Sequence, residues 1–597
     1  MNTRFRRPIP AAVHLMLLGA LAGCATPHQP AVQNAAPATT IPVRLLALND
    51  FHGQLPPGRK LGNRLAGGAP VYTAYLRQAE ATAPGATFIV DAGDMVGASP
   101  LVSSVLHDEP TLMLLNQWAN NHCTGGAWDD VDCNMVGTLG NHEFDKGMDE
   151  LLRLAHGGNA ADGPFLQDPW RGAQFPIISA NVVWADSGKP VLQPYVIRHA
   201  HVRPDGAAQP VDLPIAFIGI TTHDTPSLTP PSSTRNVRFL DEADAVNHYL
   251  PEIHAQGVHT VVVLIHEGGK QDFYLGETDS SHTAVVGKIV NIVKRLAPGV
   301  DIVCSGHTHE FTNSVLPNAA GQPVLVTQGV PYSMGFAQID LQIDPATDTV
   351  VKKTARIVPT YADEGPGLHP DANAAALLAQ AERRVGTIAN RVVTHIEHDI
   401  VRGVNAEGES RLGNLVADAL RESAQADFAM LNRHSLRDDL RADIAHEPAL
   451  PVGSLTYKDL YAVMPFGNTV MRVSMTGQQI YDVLNQQYPK LRPPEDSYGK
   501  LFVSGLSYDW DSTRPDQQVV RIYQHGKAID PQARYTVALN NFVLDGGDGF
   551  TAFAAATERV EVMNDLHALE LYLVAHTDPA TGRYTPPKLG DRVHRVR

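Results

Sequence analysis

Short apolar runs that end in polar turns recur through the first half of the chain. Four runs rich in valine, isoleucine and leucine span residues 43–48, 87–90, 261–265 and 300–304. Runs of this length, closed by glycine or a polar turn, predict buried β-strands. Ligands of open α/β sheets bind at strand ends, where residues that are far apart in sequence can meet. The pattern therefore predicts an α/β domain with a site at the ends of its strands.

The pattern changes near residue 360. Residues 363–370 contain two glycines and two prolines, and the following stretch 372–392 is alanine-rich with charged residues. This composition predicts a break followed by a helix. We therefore interpret 363–392 as a linker and connector helix. It would join a first domain at 41–362 to a second domain at 393–597.

The first forty residues have the pattern of an export signal. Three arginines within the first seven residues precede an apolar stretch at 11–21, which is too short to span a bilayer. The stretch ends in Leu21-Ala22-Gly23-Cys24, which resembles a bacterial lipoprotein signal, with a chance cysteine as the alternative. Residues 1–23 would then be the signal peptide and 24–40 a flexible tether. We expect an exported protein that a lipid on Cys24 anchors to the outer membrane or to a periplasmic face.

Size and charge narrow the possible partners. A chain of 64.5 kDa with 43% hydrophobic residues is large enough for at least two packed domains. Its formal net charge of −16 argues against a general nucleic-acid binder, which needs a basic stripe to engage the phosphate backbone. A small phosphorylated substrate remains compatible, because metal ions and a few arginines supply a local positive field. We expect such a small molecule as the partner, no nucleic-acid polymer, and a monomeric protein.

The four cysteines are too few for a disulfide scaffold. With Cys24 assigned to lipid, Cys123 and Cys133 flank a short loop that contains glycine and aspartate. We predict a bridge between them because the protein is expected to be exported, and the alternative is two free thiols. Cys304 lies in a predicted strand and is expected to be a small core residue.

The turns after the apolar runs carry the strongest chemical signal. They are Asp50-Phe51-His52, Asp91-Ala92-Gly93-Asp94, Gly140-Asn141-His142-Glu143-Phe144-Asp145, His266 and Gly306-His307-Thr308-His309. Carboxylate, imidazole and amide ligands suit zinc, manganese or iron, and a shared aspartate can bridge two ions. Each turn alone is weak evidence, because an isolated histidine after a strand is more often a hydrogen-bonded residue. Together they indicate a two-metal site.

In this order the turns resemble the calcineurin-like metallophosphoesterase family at every ligand position. The resemblance implies that one divalent ion is held by Asp50, His52, Asp94 and His309. It implies that a second ion is held by Asp94, Asn141, His266 and His307, with Asp94 as the bridge. Manganese, zinc, cobalt and magnesium all remain open, because mixed nitrogen and oxygen ligands admit several ions. Asp91 is expected to be a turn residue and is left out of the ligand set.

Two divalent ions about 3.5–4 Å apart lower the pKa of a bridging water and neutralise charge on a phosphoryl group, so that hydroxide becomes the nucleophile. We predict His142 and Asp145 as a catalytic pair, in which Asp145 fixes the tautomer of His142 and raises its basicity. The alternative for Asp145 is a carboxylate at the N-terminus of a helix over 146–154, where negative charge is favourable. Both roles can coexist.

The second half carries three further motifs. They are Gly408-Glu409-Ser410-Arg411-Leu412-Gly413-Asn414, Pro465-Phe466-Gly467-Asn468 and Asn541-Phe542-Val543-Leu544-Asp545-Gly546-Gly547-Asp548-Gly549-Phe550. These motifs resemble the C-terminal domain of bacterial and animal 5'-nucleotidases, and the combined resemblance covers about 41–590. It implies an α/β fold in which a four-layer α/β/β/α metallophosphoesterase domain precedes a smaller α+β nucleotide-binding domain.

The resemblance also implies a nucleoside site in the second domain. Phe466 and Phe542 would stack a base between them, which is worth about 1–3 kcal/mol per base and tolerates several bases. Core packing is the alternative for each ring taken alone. Asp548 would accept hydrogen bonds from ribose hydroxyls, and Arg437 would approach phosphate. The remaining predicted substrate-binding residues are Asn432 and Asn468.

Two departures from the family pattern concern this site. Family members share an Asn-x-Gly-Gly-x-Arg strip. This chain has His434-Ser435 in place of the two glycines, which could alter base recognition. Many members also carry an arginine where this chain has Gly408. Arg402 or Arg411 could replace it, and the sequence leaves both open.

The function implied is metal-dependent hydrolysis of nucleoside 5'-monophosphates, with cleavage of nucleotide diphosphate linkages as a further activity. The alternatives within hydrolases are a 2',3'-cyclic-nucleotide phosphodiesterase and a UDP-sugar pyrophosphatase. A non-catalytic nucleotide-binding lipoprotein and a sulfur-oxidation thiohydrolase are alternatives of other classes. The paired phenylalanines favour a nucleoside substrate over the thiohydrolase reaction.

Overall fold

The computed structural model describes residues 40–596, apart from 125–129, 162, 164, 204–208, 280, 282–283, 443–449, 489–499 and 515–516. The predicted signal peptide at 1–23 and the tether up to residue 39, including Cys24, lie outside the described residues. Within the part that is described, no helix has both the length and the apolar character needed to cross a bilayer.

The four predicted strands are present and divide equally between two sheets. The first six-stranded sheet has the order Thr349–Pro359, Gly335–Asp344, Ile41–Leu48, Ala86–Asp91, Met135–Thr138, Ile177–Ile178. The second has the order Thr312–Pro317, Pro323–Gln328, Ile302–Ser305, Thr260–His266, Val211–Thr221, Tyr195–Val202. In the first sheet the four strands from Ile41–Leu48 to Ile177–Ile178 run parallel, and the two strands at the other edge pair antiparallel. In the second sheet the four central strands run parallel, and both edge strands pair antiparallel.

The two sheets pack face to face and helices cover their outer faces. The core between the sheets draws apolar side chains from both, including Leu45 and Val90 of the first and Phe217 and Leu264 of the second. The helices of this domain are Ala69–Ala81, Leu101–Ser104, Glu109–Trp118, Met148–His156, Thr225–Leu228, Pro231–Thr234, Glu242–Ala255 and Lys288–Arg295. The continuous apolar runs place apolar side chains on both faces of the central strands, so each sheet must bury both faces, one against the other sheet and one under helices. The predicted four-layer α/β/β/α arrangement is confirmed.

The connector helix spans Ala372–Ala389 and begins with Asp371, whose side chain accepts a hydrogen bond from the backbone N–H of Ala374. Its apolar face, with Leu377 and Val385, joins the core formed by the helices of the first domain. The helix also contacts Tyr457–Val463 of the second domain. It therefore touches both halves of the chain.

The second domain is built on a mixed five-stranded sheet with helices on both faces. The strand order is Leu501–Ser504, Phe428–Asn432, Arg534–Asn540, Thr469–Thr476, Thr557–Asn564. The longer helices are Arg411–Ala424, Tyr457–Val463, Gly477–Asn485 and Asp565–Ala575. Two smaller sheets have four strands each. One contains Ser454–Thr456, Val392–His395, Arg583–Tyr584 and Thr577–Asp578. The other contains Lys527–Ala528, Val519–Gln524, Ser507–Trp510 and Val593–Arg595. The predicted α+β character is confirmed.

Three of the four cysteines, Cys123, Cys133 and Cys304, lie within the described residues. Cys123 and Cys133 are joined in a disulfide, as predicted. Cys304 is a free, buried residue between the two large sheets, which confirms its expected place in the core.

Candidate active site

The predicted metal ligands meet at one edge of the two large sheets. In the first sheet, Asp50, His52 and Asp94 follow two adjacent parallel strands. In the second sheet, His266 ends a strand whose parallel neighbour is followed by His307. Because parallel strands end at the same side and the sheets pack together, these side chains converge.

The first predicted ligand set forms a tight, buried cluster. One ligand atom from each of Asp50, His52, Asp94 and His309 lies within 4.8 Å of the others. The Nε2 atoms of His52 and His309 face each other at 3.0 Å, and His309 Nε2 is 3.4 Å from Oδ1 of Asp50. Two imidazole nitrogens turned toward each other and toward carboxylates suit a cation between them. The cluster is therefore compatible with a divalent metal ion.

The second predicted set meets the first at Asp94. His266 Nε2 is 3.1 Å from Oδ2 of Asp94 and 3.2 Å from Oδ1 of Asn141, and His307 Nδ1 is 2.9 Å from the same Asn141 oxygen. Gly140 permits this approach, because a Cβ there would lie 2.1 Å from Oδ1 of Asp94. The structure thus brings together all seven side chains named from the sequence.

Two of these histidines have their outer ring nitrogen fixed by backbone. Nδ1 of His52 is 2.9 Å from the carbonyl oxygen of Gly97, and Nδ1 of His266 is 2.8 Å from that of Ala92. A proton on Nδ1 that is donated to a carbonyl leaves Nε2 free to face a metal. Neither backbone contact was predicted, because residue types alone do not indicate where backbone carbonyl groups lie.

The charges of the cluster depend on one another. Burial alone would raise the pKa of both Asp50 and Asp94, but the neighbouring histidines hold both well below their usual range. Burial lowers the pKa of His307 to about 4, so this ring is neutral at pH 7. Burial also opposes the charge of His266, yet Asp94 and Asp50 raise its pKa to about 10. In the absence of a cation, the His266 ring therefore carries positive charge at pH 7.

His142 and Asp145 form the predicted pair. His142 Nδ1 lies 2.8 Å from Oδ2 of Asp145. Burial lowers the pKa of His142, but Asp145 and Asp94 outweigh it, so the pKa is raised. The nearby helix is Met148–His156, preceded by Gly147, so Asp145 lies outside it. The alternative role of Asp145, as a carboxylate at the N-terminus of a helix over 146–154, assumed a helix that begins directly after it, whereas the helix begins three residues later at Met148.

Glu143 is a site residue to which the sequence assigned no role. Its carboxylate accepts hydrogen bonds from the backbone N–H groups of Asp94, Met95, Val96 and Gly140, at 2.6–3.3 Å. Burial, followed by repulsion from Asp94, raises the pKa of Glu143 to about 7. The residue joins the two turns that present Asp94 and Asn141. Its place in the Gly-Asn-His-Glu motif was the available signal.

Tyr332 is a second residue that the sequence did not indicate. Its ring lies 5.3 Å from that of His52 and 5.0 Å from that of His309, measured between centroids. Its hydroxyl accepts a hydrogen bond of 3.1 Å from Nη2 of Arg437 in the second domain. The guanidinium of Arg59 lies over the same ring at 4.3 Å. Tyr332 therefore connects the metal cluster to the second domain.

A cleft of about 1950 Å³ runs from the cluster to the second domain. Its lining includes Asp94, Asn141, His142, Asp145, His307 and His309 of the first domain. It also includes Asn432, Arg437, Phe466, Asn468, Phe542 and Asp548, which are all of the predicted substrate-binding residues. Helix Thr225–Leu228 of the first domain contacts the turn that holds Asp548. The two domains thus share one site.

Comparisons with known proteins agree with this geometry. A family model for calcineurin-like phosphoesterases matches residues 43–311, and a model for the 5'-nucleotidase C-terminal domain matches residues 385–555. The Listeria monocytogenes cell wall protein Lmo0130 is 31% identical over 587 residues, which cover 91% of this chain and 68% of that protein. The chain belongs to the 5'-nucleotidase family of calcineurin-like phosphoesterases. It accordingly carries a calcineurin-like phosphoesterase domain followed by a 5'-nucleotidase C-terminal domain.

Two further relatives and a solved structure show how far the likeness extends. The Bacillus subtilis endonuclease YhcR is 32% identical over 518 residues, 86% of this chain, but the chain spans only 38% of its length. A 5'-nucleotidase of Vibrio parahaemolyticus is 25% identical over 623 residues, which cover 97% of this chain and 96% of that protein. The crystal structure of a 5'-nucleotidase precursor from Thermus thermophilus has the same fold, with a TM-score of 0.70, 24% identity, and coverage of 93% of this chain and 99% of that one.

Phe466 and Phe542, the two rings that the family resemblance assigns to base stacking, have different surroundings. Phe466 stacks on His142, with ring centroids 5.8 Å apart and an interplanar angle of 16°. The guanidinium of Arg437 lies 5.6 Å from the Phe466 ring. Phe542 packs beside Gly547, where an added Cβ would lie 2.6 Å from its ring. Phe466 therefore reaches from the second domain onto His142 of the predicted catalytic pair.

Ser435, which stands where the 5'-nucleotidase family has glycine, belongs to a polar network. It donates a hydrogen bond of 2.5 Å to Oδ1 of Asn432 and accepts one of 2.9 Å from Asn540. The amide of Asn432 donates to Asp548 at 2.7 Å. The hydroxyl thus helps to fix Asn432 and, through it, Asp548.

Arg402 and Arg411 are the two candidates to replace the arginine that many family members have where this chain has Gly408. Arg402 lines the cleft, and its Nη1 donates a hydrogen bond of 2.7 Å to the carbonyl oxygen of Arg437. Arg411 begins helix Arg411–Ala424 and is not among the residues that line the cleft. Of the two candidates, Arg402 is thus the one next to Arg437.

Proposed function

We propose that this protein hydrolyses nucleoside 5'-monophosphates to nucleoside and phosphate with the help of two divalent cations. The observation that carries the proposal is that one cleft holds a histidine–carboxylate cluster at one end and Arg437, Phe466 and Asp548 of the second domain at the other. A phosphate at the cluster and a nucleoside at the second domain would use both ends.

The residues fit two cations that share Asp94. Asp50, His52 and His309 would complete one ligand set, and the other would be completed by Asn141, His266 and His307. The cations would lower the pKa of a bound water and neutralise charge on the phosphoryl group. The protein's own contribution is the fixed orientation of these side chains, since Glu143 and backbone carbonyls hold them.

His142 and Arg437 would act on the phosphate and on the leaving oxygen. With Nδ1 bonded to Asp145, the proton on Nε2 of a cationic His142 can be given to the leaving oxygen. Arg437 is oriented by Tyr332 and by the carbonyl contact of Arg402, and it would bind phosphoryl oxygens. The base would stack on Phe466 and Phe542, which tolerates several bases.

Because the ligands for one substrate lie on both domains, we further propose that the domains rotate about the connector helix to release product. Arg59 and Asp438 face each other across the cleft with 3.5 Å between Nη1 and Oδ2. Joining Arg59→Cys to Asp438→Cys with a short bismaleimide should stop turnover and leave metal content unchanged. Full turnover in the cross-linked protein would contradict rotation.

A substrate screen that identifies the products by liquid chromatography tests the main proposal, because cleavage of the diester, the pyrophosphate or DNA releases no inorganic phosphate. Metal-stripped protein would receive manganese, zinc, cobalt or magnesium separately, with AMP, 2',3'-cyclic AMP, UDP-glucose and single-stranded DNA as substrates. We expect AMP to give the highest kcat/KM, a chelator to abolish turnover, and His142→Ala to lower kcat while metal content stays unchanged. A higher kcat/KM for the diester, the pyrophosphate or the polymer would replace the proposal with that activity, and no turnover of any substrate would refute it.

A further inference from the structure

His434 replaces the first glycine of the family's Asn-x-Gly-Gly-x-Arg strip. Its side chain lies beside the carboxylate of Asp548, which is expected to bind ribose. His434 lines the cleft, and its Nδ1 is 3.6 Å from Oδ1 of Asp548. The other oxygen of Asp548, Oδ2, accepts a hydrogen bond of 2.7 Å from Asn432. The fixed network of the domain thus holds one carboxylate oxygen, and an imidazole stands next to the other.

We propose that His434 is a specificity-determining residue that, together with Asp548, binds the two neighbouring hydroxyls of ribose, so that the protein selects ribonucleotides over 2'-deoxyribonucleotides. The inference rests on the proposed function, because it specifies which nucleotides the cleft accepts. A glycine at position 434 would offer only backbone to the substrate. The imidazole adds a ring nitrogen that can hydrogen-bond.

The chemistry of the pair matches a diol. A carboxylate next to Nδ1 favours the tautomer of His434 that carries its proton on Nδ1, which makes Nε2 an acceptor. The pair then offers two acceptors, Nε2 of His434 and a carboxylate oxygen of Asp548. Ribose presents two adjacent hydroxyl donors, whereas 2'-deoxyribose presents one. A deoxynucleotide would leave one acceptor without a donor inside a cleft from which the bound nucleoside excludes water.

The position of His434 is set by its neighbours. It lies in the single turn Arg433–Ser435, directly after strand Phe428–Asn432. Ser435 anchors this turn through its bonds to Asn432 and Asn540. A side chain held next to a fixed network loses little freedom on binding, so its contact can contribute to selectivity.

Binding of adenosine and of 2'-deoxyadenosine to the full-length protein, measured by calorimetry, tests the inference without turnover. We expect the wild-type protein to prefer adenosine about ten-fold, the value of one well-made hydrogen bond. His434→Gly should reduce this preference to below about three-fold, and His434→Gln, which keeps an acceptor, should restore most of it. The melting temperature of each variant controls for folding.

Three results with the His434→Gly variant would overturn the inference. One is an unchanged ratio in His434→Gly, and another is an equal loss of both nucleosides, which would show that His434 only shapes the cleft. The third is a change in preference among bases without a change between sugars. Failure of the proposed function is a separate result: wild-type protein that discriminates the nucleosides but releases no phosphate from AMP would refute the nucleotidase and leave His434 as a ribose contact. Equal kcat/KM for AMP and dAMP would refute the inference alone.

Discussion

Five of the seven predicted metal ligands hold left-handed backbone angles. Their φ values lie between 47° and 76°, at Asp50, His52, Asp94, His307 and His309. Such angles are uncommon for residues other than glycine and cost about 1–3 kcal/mol each. The turns tolerate this cost because their backbone is bonded: the N–H of His52 donates to the carbonyl of Asp94, and that of His307 to the carboxylate of Asp50. Strain is thus concentrated where side chains must converge.

The pH dependence of turnover should reveal the pairing of His142 with Asp145. Asp145 and Asp94 raise the pKa of His142 against the effect of burial, so Asp145→Asn should lower that pKa. If the cationic ring is the active form, the alkaline limb of the kcat/KM profile moves to lower pH, and kcat falls by roughly ten-fold or more. The exposed Asp149→Asn, in the adjacent helix, is the matched control. An unchanged alkaline limb in Asp145→Asn would contradict the role of the pair.

Metal binding should release protons. Asp94 and Asp50 raise the pKa of His266 to about 10 in spite of burial, so without a cation this ring is charged at pH 7. A histidine binds a metal ion in its neutral form, so we expect about one proton to be released from His266 on loading. Calorimetric titration with zinc in buffers of different ionisation enthalpy measures this number. A heat of binding that does not depend on the buffer would refute the expectation, and His266→Asn should remove the release.

At the scale of elements, local pattern was sufficient for the strands and the connector helix. The run predicted at 43–48 forms Ile41–Leu48, and the helix predicted at 372–392 forms Ala372–Ala389. The helix ends earlier because Asn390 caps it and Val392 already begins a strand. The contacts of Tyr332 could not be predicted, because they depend on how two domains pack and not on any local motif.

The helix Asp565–Ala575 should make the second domain sensitive to pH. Asp565 is 1% exposed, and burial raises its pKa to about 7 although Leu566 and Asn468 bond to its carboxylate. The pKa of Asp565 in the folded protein lies above its unfolded value of about 3.9. The contribution of this carboxyl group to the free energy of unfolding is therefore greatest at low pH and is lost as pH rises from about 4 toward 7. In urea unfolding, the midpoint of Asp565→Asn should fall less between pH 5 and 7.5 than that of wild type. Equal falls in both would contradict this, and the exposed Glu561→Gln serves as the control.

For the molecule as a whole, the predicted export and lipid anchor remain to be tested. The signal rests on the apolar stretch at 11–21 and on Cys24. We expect Cys24→Ala to abolish labelling by a radioactive fatty acid and to move the protein from the membrane fraction to the soluble fraction after cell breakage. Cys304→Ala, which alters a buried thiol elsewhere, should leave both properties unchanged. Labelling that persists in Cys24→Ala would refute the anchor.

The contact between Tyr332 and Arg437 should link the two domains functionally. Tyr332→Phe keeps the ring that lies beside His52 and His309 but removes the hydroxyl that accepts from Arg437. Arg437 would then lose one orienting bond, worth about 1.5–3 kcal/mol for a charged donor, and kcat/KM for AMP should fall roughly ten-fold or more while metal content stays the same. Tyr361→Phe is the control, because Arg64 lies over that ring in a similar way. A loss of metal in Tyr332→Phe would instead show that the hydroxyl supports the cluster, and unchanged kinetics would show that Arg437 is held by its other contacts.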